Sequence, residues 1–192
     1  MNEQRKASGK RQIIIGAVLL AVALIAYFSG NSKSPINFAE CVSAGNPTME
    51  SYPRQCKAKD GSTFKEDIGN ELEKDTLIRI ESPRPNAVIT SPLTVRGMAR
   101  GNWFFEASFP IKLLDADGKE VAVIPAKALR DPDGGQASNG AGWMTKDFVP
   151  FEATLTFTAP HTKTGTLRLE KDNPSGLPEH DDALLVPVRF VK

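Results

Sequence analysis

From Leu77 onward, hydrophobic and polar residues alternate with a period of two, and this alternation constrains the fold more than any other feature. The segments "LTVRGMA", "FEASFPIKLLD", "FEATLTFT" and "ALLVPVRF" each place an apolar side chain at nearly every second position. Successive side chains of a strand point to opposite faces, so such a segment buries one face and exposes the other. About seven segments of this kind, separated by turn residues, predict an antiparallel β-sandwich.

The phase of the alternation predicts which side chains form the core. In the last strand, the inward residues are Leu184, Val186, Val188 and Phe190, and Pro187 indicates a sheet edge at that point. The inward residues expected in earlier strands are Leu93, Val95, Trp103, Phe105, Ala107, Phe109, Ile111, Leu113, Phe151, Ala153, Leu155 and Phe157. Phe104 then falls on the opposite face. It is either an exposed partner contact or, as we favour, a side chain packed under a neighbouring loop.

The first 28 residues have the pattern of an uncleaved signal anchor. Residues 1–11 form a basic tail, and the run from Ile13 to Phe28 carries no charged side chain. We predict a transmembrane helix over residues 12–28, since sixteen or so helical residues reach roughly 24 Å. The basic tail would stay in the cytoplasm and the rest of the chain would lie outside. A cleaved signal peptide is the alternative, which bulky Tyr27 and Phe28 disfavour.

Residues 29–68 are predicted to form a spacer followed by a small module held by a disulfide. Cys41 and Cys56 are the chain's only two cysteines, and both would lie on the oxidising side of the membrane. They are too few for a structural zinc site and too far apart for a Cys-x-x-Cys redox pair. Residues 69–76, which include the acidic "GNELEKD", are predicted to form a linker to a second domain at 77–192.

Charge and motif content exclude several functions and leave one loop as a candidate site. With 24 basic and 23 acidic side chains, the chain has no strong field for nucleic acid. We find no nucleophile motif and no phosphate-binding loop, so we predict no catalytic residue, metal ligand or cofactor. The segment "EKDNPSGLPEHDD" connects two strands and is most simply a solvated loop. A partner contact or a bound cation remains open for its oxygen donors, which are Asp172, Asn173, Glu179, Asp181 and Asp182.

Three runs resemble a known family. They are "SPLTVRGMARGNWFFEASFPIKLLDADGKEVA", "GWMTKDFVPFEATLTF" and "GTLRLEKDNPSGLPEHDDALLVPVRF". Together they are similar to the immunoglobulin-like domain of bacterial spore germination, which is named for its association with the protein GerM. The resemblance covers about residues 77–190. It implies an immunoglobulin-like sandwich on an exported envelope protein, with no catalytic residues to carry over. It does not by itself imply a role in germination.

These observations predict a single-pass protein of the bacterial cytoplasmic membrane, with its immunoglobulin-like domain outside the cytoplasm. That domain would be a binding or structural module for an envelope protein or glycan, not an enzyme. The candidate partner-binding residues are Phe104, Asp172, Asn173, Glu179, Asp181 and Asp182. The alternative is a metal-dependent or hydrolytic activity at the acidic loop, residues 172–182.

Overall fold

The computed structural model describes residues 34–129 and 143–191, and the chain divides after Glu66 into two units. The predicted basic tail and transmembrane helix, residues 1–28, lie outside the described residues. Within the described ranges, no helix is long and apolar enough to cross a membrane.

The first unit contains the cysteine pair. Its helix α1 (Phe38–Ser43) begins at Asn37, whose side chain accepts a hydrogen bond from the Glu40 N–H at 2.8 Å. Three short strands follow in the antiparallel order β1-β2-β3; they are β1 (Thr48–Met49), β2 (Gln55–Lys57) and β3 (Thr63–Lys65). The disulfide between Cys41 and Cys56 joins α1 to β2, and both residues are fully buried. This confirms the predicted disulfide.

An ion pair adds to the disulfide in this unit. Arg54 donates two hydrogen bonds to Glu66, from Nε at 2.8 Å and from Nη2 at 2.6 Å. Glu66 is buried, so its charge needs such a partner. The hydrogen bond that Arg54 donates to Glu66 is the main reason why the pKa of Arg54 is raised.

The second unit is one eight-stranded sheet that curls over a single core. Its elements are α2 (Glu71–Lys74), β4 (Ile78–Ser82), β5 (Val88–Ile89), β6 (Leu93–Arg100), β7 (Ser108–Asp115), β8 (Glu120–Ala128), β9 (Phe148–Leu155), β10 (Thr164–Glu170) and β11 (Ala183–Phe190). Short 3₁₀ turns cover Gly101–Trp103 and Pro178–His180. The strand order is β4-β6-β9-β8-β7-β10-β11-β5.

The sheet differs from a simple antiparallel sandwich in two places. Strand β8 pairs with β7 along most of its length but meets β9 only at Lys127 and Ala128. These two pairings of β8 join the two halves of the sandwich into one continuous sheet. Strand β5 pairs with β11 in parallel, through Val88 with Arg189, so the pairing is not antiparallel throughout. The other pairings are antiparallel.

The core follows the predicted phase in most strands. All four inward residues of β11 are buried, as are the inward residues of β6 and β9. Phe109 packs edge-on against Phe151 with ring centroids 4.9 Å apart, which joins β7 to β9. At Pro187 the side of β11 away from β10 has no paired strand among the described residues, and the Pro187 carbonyl accepts the Asn86 N–H instead. The predicted edge is confirmed there.

The prediction was wrong for Phe105 and Ala107, which do not continue the inward face of β7. That strand begins at Ser108, and Phe105 is 42% exposed. Glu106 and Ala107 have φ of 49° and 59°, and two left-handed residues reverse the chain and end the alternation.

The segment predicted to be a linker, residues 69–76, is packed onto the second unit. The Asn70 side chain donates to the Ala183 carbonyl at 2.9 Å and accepts from the Leu185 N–H at 2.7 Å. Glu71 is buried and lies 2.6 Å from Arg84 Nη1, and Lys74 pairs with Asp182 at 2.5 Å. The charged residues Glu71 and Lys74 of this segment therefore pair with residues in the β4–β5 and β10–β11 connections.

Candidate functional site

Three connections of the second unit meet at one end of the sandwich. They join β6 to β7, β8 to β9, and β10 to β11. At this end, Arg100 of β6 pairs with Phe148 of β9. Glu170 of β10 likewise pairs with Ala183 of β11. We call the described parts of these connections the loop end; it comprises residues 101–107, 143–147 and 171–182.

The first two connections pack closely against each other at Gly101. A Cβ atom at this position would collide with the backbone carbonyls of Trp143 and Thr145, so only glycine fits. Arg100 also donates from Nη1 to the Lys146 carbonyl at 2.9 Å. The position of residues 143–147 therefore depends on the start of the β6–β7 connection.

A shallow pocket of about 390 Å³ opens in the loop end, between the β6–β7 and β10–β11 connections. The residues that line it are Asn102, Phe104, Phe105, Lys171, Asp172, Asn173, Pro174, Ser175 and His180. A hydrogen bond from the Asp172 N–H to the Trp103 carbonyl, at 3.0 Å, joins the two connections beneath it. The pocket combines an aromatic side with a polar side.

The aromatic side is held by a tight turn. The backbones of Phe105 and Ser108 exchange two hydrogen bonds of 2.9 and 3.0 Å across Glu106 and Ala107. Both central residues have positive φ, the geometry of a type I′ turn, which normally selects Asn or Gly. Residues other than glycine are strained at positive φ, and such strained residues are concentrated at functional sites. The turn leaves Phe105 exposed at the pocket.

The polar side is a loop that organises itself around Asn173. The Asn173 Nδ2 donates to the Leu177 carbonyl and to Asp181 Oδ1, each at 2.8 Å. Its Oδ1 accepts from the Ser175 N–H and hydroxyl. Gly176 supplies a turn at φ 65°, and Pro174 and Pro178 restrict the backbone of the loop. Asn173 therefore shapes the loop and has no free hydrogen-bonding capacity at its amide nitrogen.

Ser175 and His180 form a contact that superficially suggests a catalytic pair. The Ser175 Oγ lies 3.0 Å from His180 Nδ1 and 2.5 Å from Asn173 Oδ1. The hydroxyl has one proton, and Asn173 Oδ1 can only accept it, so His180 Nδ1 is the donor in the other contact. A protonated Nδ1 cannot take the Ser175 proton. The contact therefore stabilises the loop and does not activate a nucleophile.

Only some of the six predicted binding residues line the pocket. Phe104, Asp172 and Asn173 line the pocket, whereas Glu179 is exposed and does not. Asp181 bonds to Asn173 inside the loop, and Asp182 pairs with Lys74 at 2.5 Å. The last two acids are thus engaged in holding the loop.

The interpretation of Phe104 as an exposed contact is corrected. Its side chain is only 4% exposed and packs edge-on against Phe109, with ring centroids 5.2 Å apart. The favoured explanation, a side chain covered by a neighbouring loop, fits this burial. Phe104 contributes the floor of the pocket, and Phe105 is the accessible aromatic residue.

Sequence reasoning did not identify Asn102, Phe105, Lys171, Pro174, Ser175 and His180 as pocket residues. The adjacent pair Phe104-Phe105 could have indicated an exposed aromatic residue, because only one of two neighbouring residues can take the inward phase of a strand. Among residues 34–129 and 143–191, no group of three or more His, Cys, Asp or Glu side chains is placed to hold a metal ion.

Comparison with known proteins identifies the second unit. No curated protein and no solved structure matches the chain. Residues 77–176, more than half of the chain, match the family described as the immunoglobulin-like domain of bacterial spore germination. The match runs from the start of β4 into the β10–β11 loop, and domains of this kind are generally not catalytic. The chain therefore belongs to the family of the immunoglobulin-like domain of bacterial spore germination.

Proposed function

We propose that this protein is anchored in the bacterial cytoplasmic membrane by residues 12–28 and presents a non-catalytic binding domain outside the cytoplasm. The loop end is its binding surface, and its partner is a protein or glycan of the envelope. The observation that carries the proposal is the pocket between Phe105 and Asp172, where an exposed aromatic side chain faces a polar loop. Pockets of mixed aromatic and polar lining are the usual sites of recognition.

The sequence supports the location. Four basic residues precede the uncharged run from Ile13 to Phe28, which is the charge arrangement of a helix with its N-terminus in the cytoplasm. The disulfide between Cys41 and Cys56 suits an oxidising compartment.

A capture experiment tests the binding surface. The full chain is immobilised in mild detergent and exposed to isolated envelope fragments. We expect Phe105→Ala with Asp172→Ala to lose capture. The control, Val123→Ala, removes another exposed apolar side chain (51% exposed) from β8, outside the loop end, and should keep it. Equal capture by all three chains would refute the loop end as the binding surface.

A fusion experiment tests the topology separately. Alkaline phosphatase attached after Lys192 becomes active only outside the cytoplasm. We expect an active fusion that stays in the membrane fraction. An inactive fusion, or recovery of the native chain as a shorter soluble species, would contradict the anchored topology.

A further inference from the structure

The pocket of the loop end also indicates what kind of molecule it binds, an inference that rests on the proposed function. We propose that its ligand is a neutral saccharide unit, whose ring packs on Phe105 while its hydroxyl groups bond to Asp172 and Asn102. Three features of the pocket support this inference: its unused polar groups, its balance of charge and its aromatic wall.

The first feature is the division of polar groups into used and unused ones. Asn173 and Ser175 are occupied inside the loop. By contrast, the side chains of Asp172 and Asn102 have no hydrogen-bond or ion-pair partner in the described parts of the chain, although both line the pocket. A carboxylate only accepts hydrogen bonds, and an amide both donates and accepts. Together they match hydroxyl groups, each of which is a donor and an acceptor.

The second feature is the balance of charge. Lys171 and Asp172 are adjacent and both line the pocket, so the two charges offset each other. A phosphate or another polyanion would face the Asp172 carboxylate, and a strongly cationic segment would face the Lys171 ammonium. Like charges at a binding surface cost free energy and reject such partners. The lining therefore favours a ligand without net charge.

The third feature is an aromatic wall on a preformed turn. The turn through Glu106 and Ala107 holds Phe105 exposed, and Phe104 beneath it is fixed against Phe109. The C–H groups on one face of a sugar ring form an apolar surface that fits the electron-rich face of an aromatic ring. Because the turn that carries Phe105 is already formed, little backbone entropy is lost when the ligand binds.

The test uses the full chain in mild detergent and two defined probes, a tetrasaccharide of N-acetylglucosamine and a tetrasaccharide of glucose, titrated by calorimetry. We expect at least one of them to bind. Phe105→Ala should weaken binding about tenfold or more, whereas Phe105→Tyr, which keeps the ring, should bind like the unaltered chain. Asp172→Asn should weaken binding about tenfold as well, since it loses a charged hydrogen-bond acceptor. Val123→Ala is the control for a general effect of removing exposed apolar surface.

The outcomes separate this inference from the proposed function. If neither tetrasaccharide binds, yet capture of envelope fragments depends on Phe105 and is abolished by protease treatment of the fragments, the binding surface stands and the saccharide is wrong. If neither the binding of the tetrasaccharides nor the capture of the fragments depends on Phe105, both proposals fail. Binding that is unchanged in Phe105→Ala would place the saccharide elsewhere and overturn the inference.

Discussion

The side chain of Asn70 takes the place of a neighbouring strand for Leu185. Its Oδ1 accepts the Leu185 N–H at 2.7 Å, and its Nδ2 donates to the Ala183 carbonyl at 2.9 Å. These two backbone groups lie on the side of β11 where β5 has not yet begun to pair. Unpaired backbone groups at a sheet edge invite pairing with another chain, so Asn70 both satisfies and covers this edge.

Replacing this amide tests its contribution. We expect Asn70→Ala to lower the free energy of unfolding by about 1–3 kcal/mol, because it leaves two backbone groups of β11 without their partner. Asn70→Asp should cost less, since it retains the acceptor for the Leu185 N–H. Urea denaturation measures both. Asn102→Ala, which removes an exposed amide without a partner among the described residues, should leave stability nearly unchanged.

Two adjacent acids of the β10–β11 loop should respond differently to the same substitution. Asp181 is exposed and its side chain bonds only to Asn173 among the described residues, so Asp181→Ala should change the unfolding free energy by less than about 0.5 kcal/mol. Asp182 pairs with Lys74 and accepts the Ala183 N–H at 2.8 Å, so Asp182→Ala should cost about 1–2 kcal/mol. A double-mutant cycle with Lys74→Ala isolates the ion pair. A coupling energy near zero in this cycle would show that the ion pair contributes nothing measurable.

The disulfide should stabilise only the first unit. Cys41→Ser opens a loop with a sequence separation of 15 and should destabilise that unit by about 3 kcal/mol. Hydrogen exchange should then speed up in β2 and β3 and stay slow in β10. Faster exchange in β10 would show that both units unfold together.

Gly97 is a position in the core of the second unit where no side chain fits. A Cβ there would meet the Arg79 carbonyl and lie 2.7 Å from Phe151 Cζ. We expect Gly97→Ala to destabilise the domain by about 1–3 kcal/mol through overpacking. Thr94→Ala, in the same strand but on its other face, should cost less than about 1 kcal/mol. Thermal melts of the two variants provide the comparison.

Much of the sheet could be predicted because the direction of a side chain in a strand is a local property. In β11 the residues Leu184, Val186 and Val188 alternate with residues of the opposite face, and all three are buried as expected. The same rule placed Phe109 and Leu113 in the core. The rule failed at Phe105, since it holds only while the backbone stays extended. Nothing in the residue types Glu106 and Ala107 signals positive φ.

The candidate site was less predictable because its residues come from distant parts of the chain. The "EKDNPSGLPEHDD" loop was recognisable as polar, but which of its acids are free depends on Asn173, which bonds to Asp181, and on Lys74, which pairs with Asp182. Asn70 and Leu185 are separated by 115 positions, and their contact follows from the packing of α2 against β11. Alternation of side chains decides which face of a strand is buried. Only the pairing and packing of distant segments decides which polar side chains find partners, and hence that those of Asp172 and Asn102 have none among the described residues of the pocket beside Phe105.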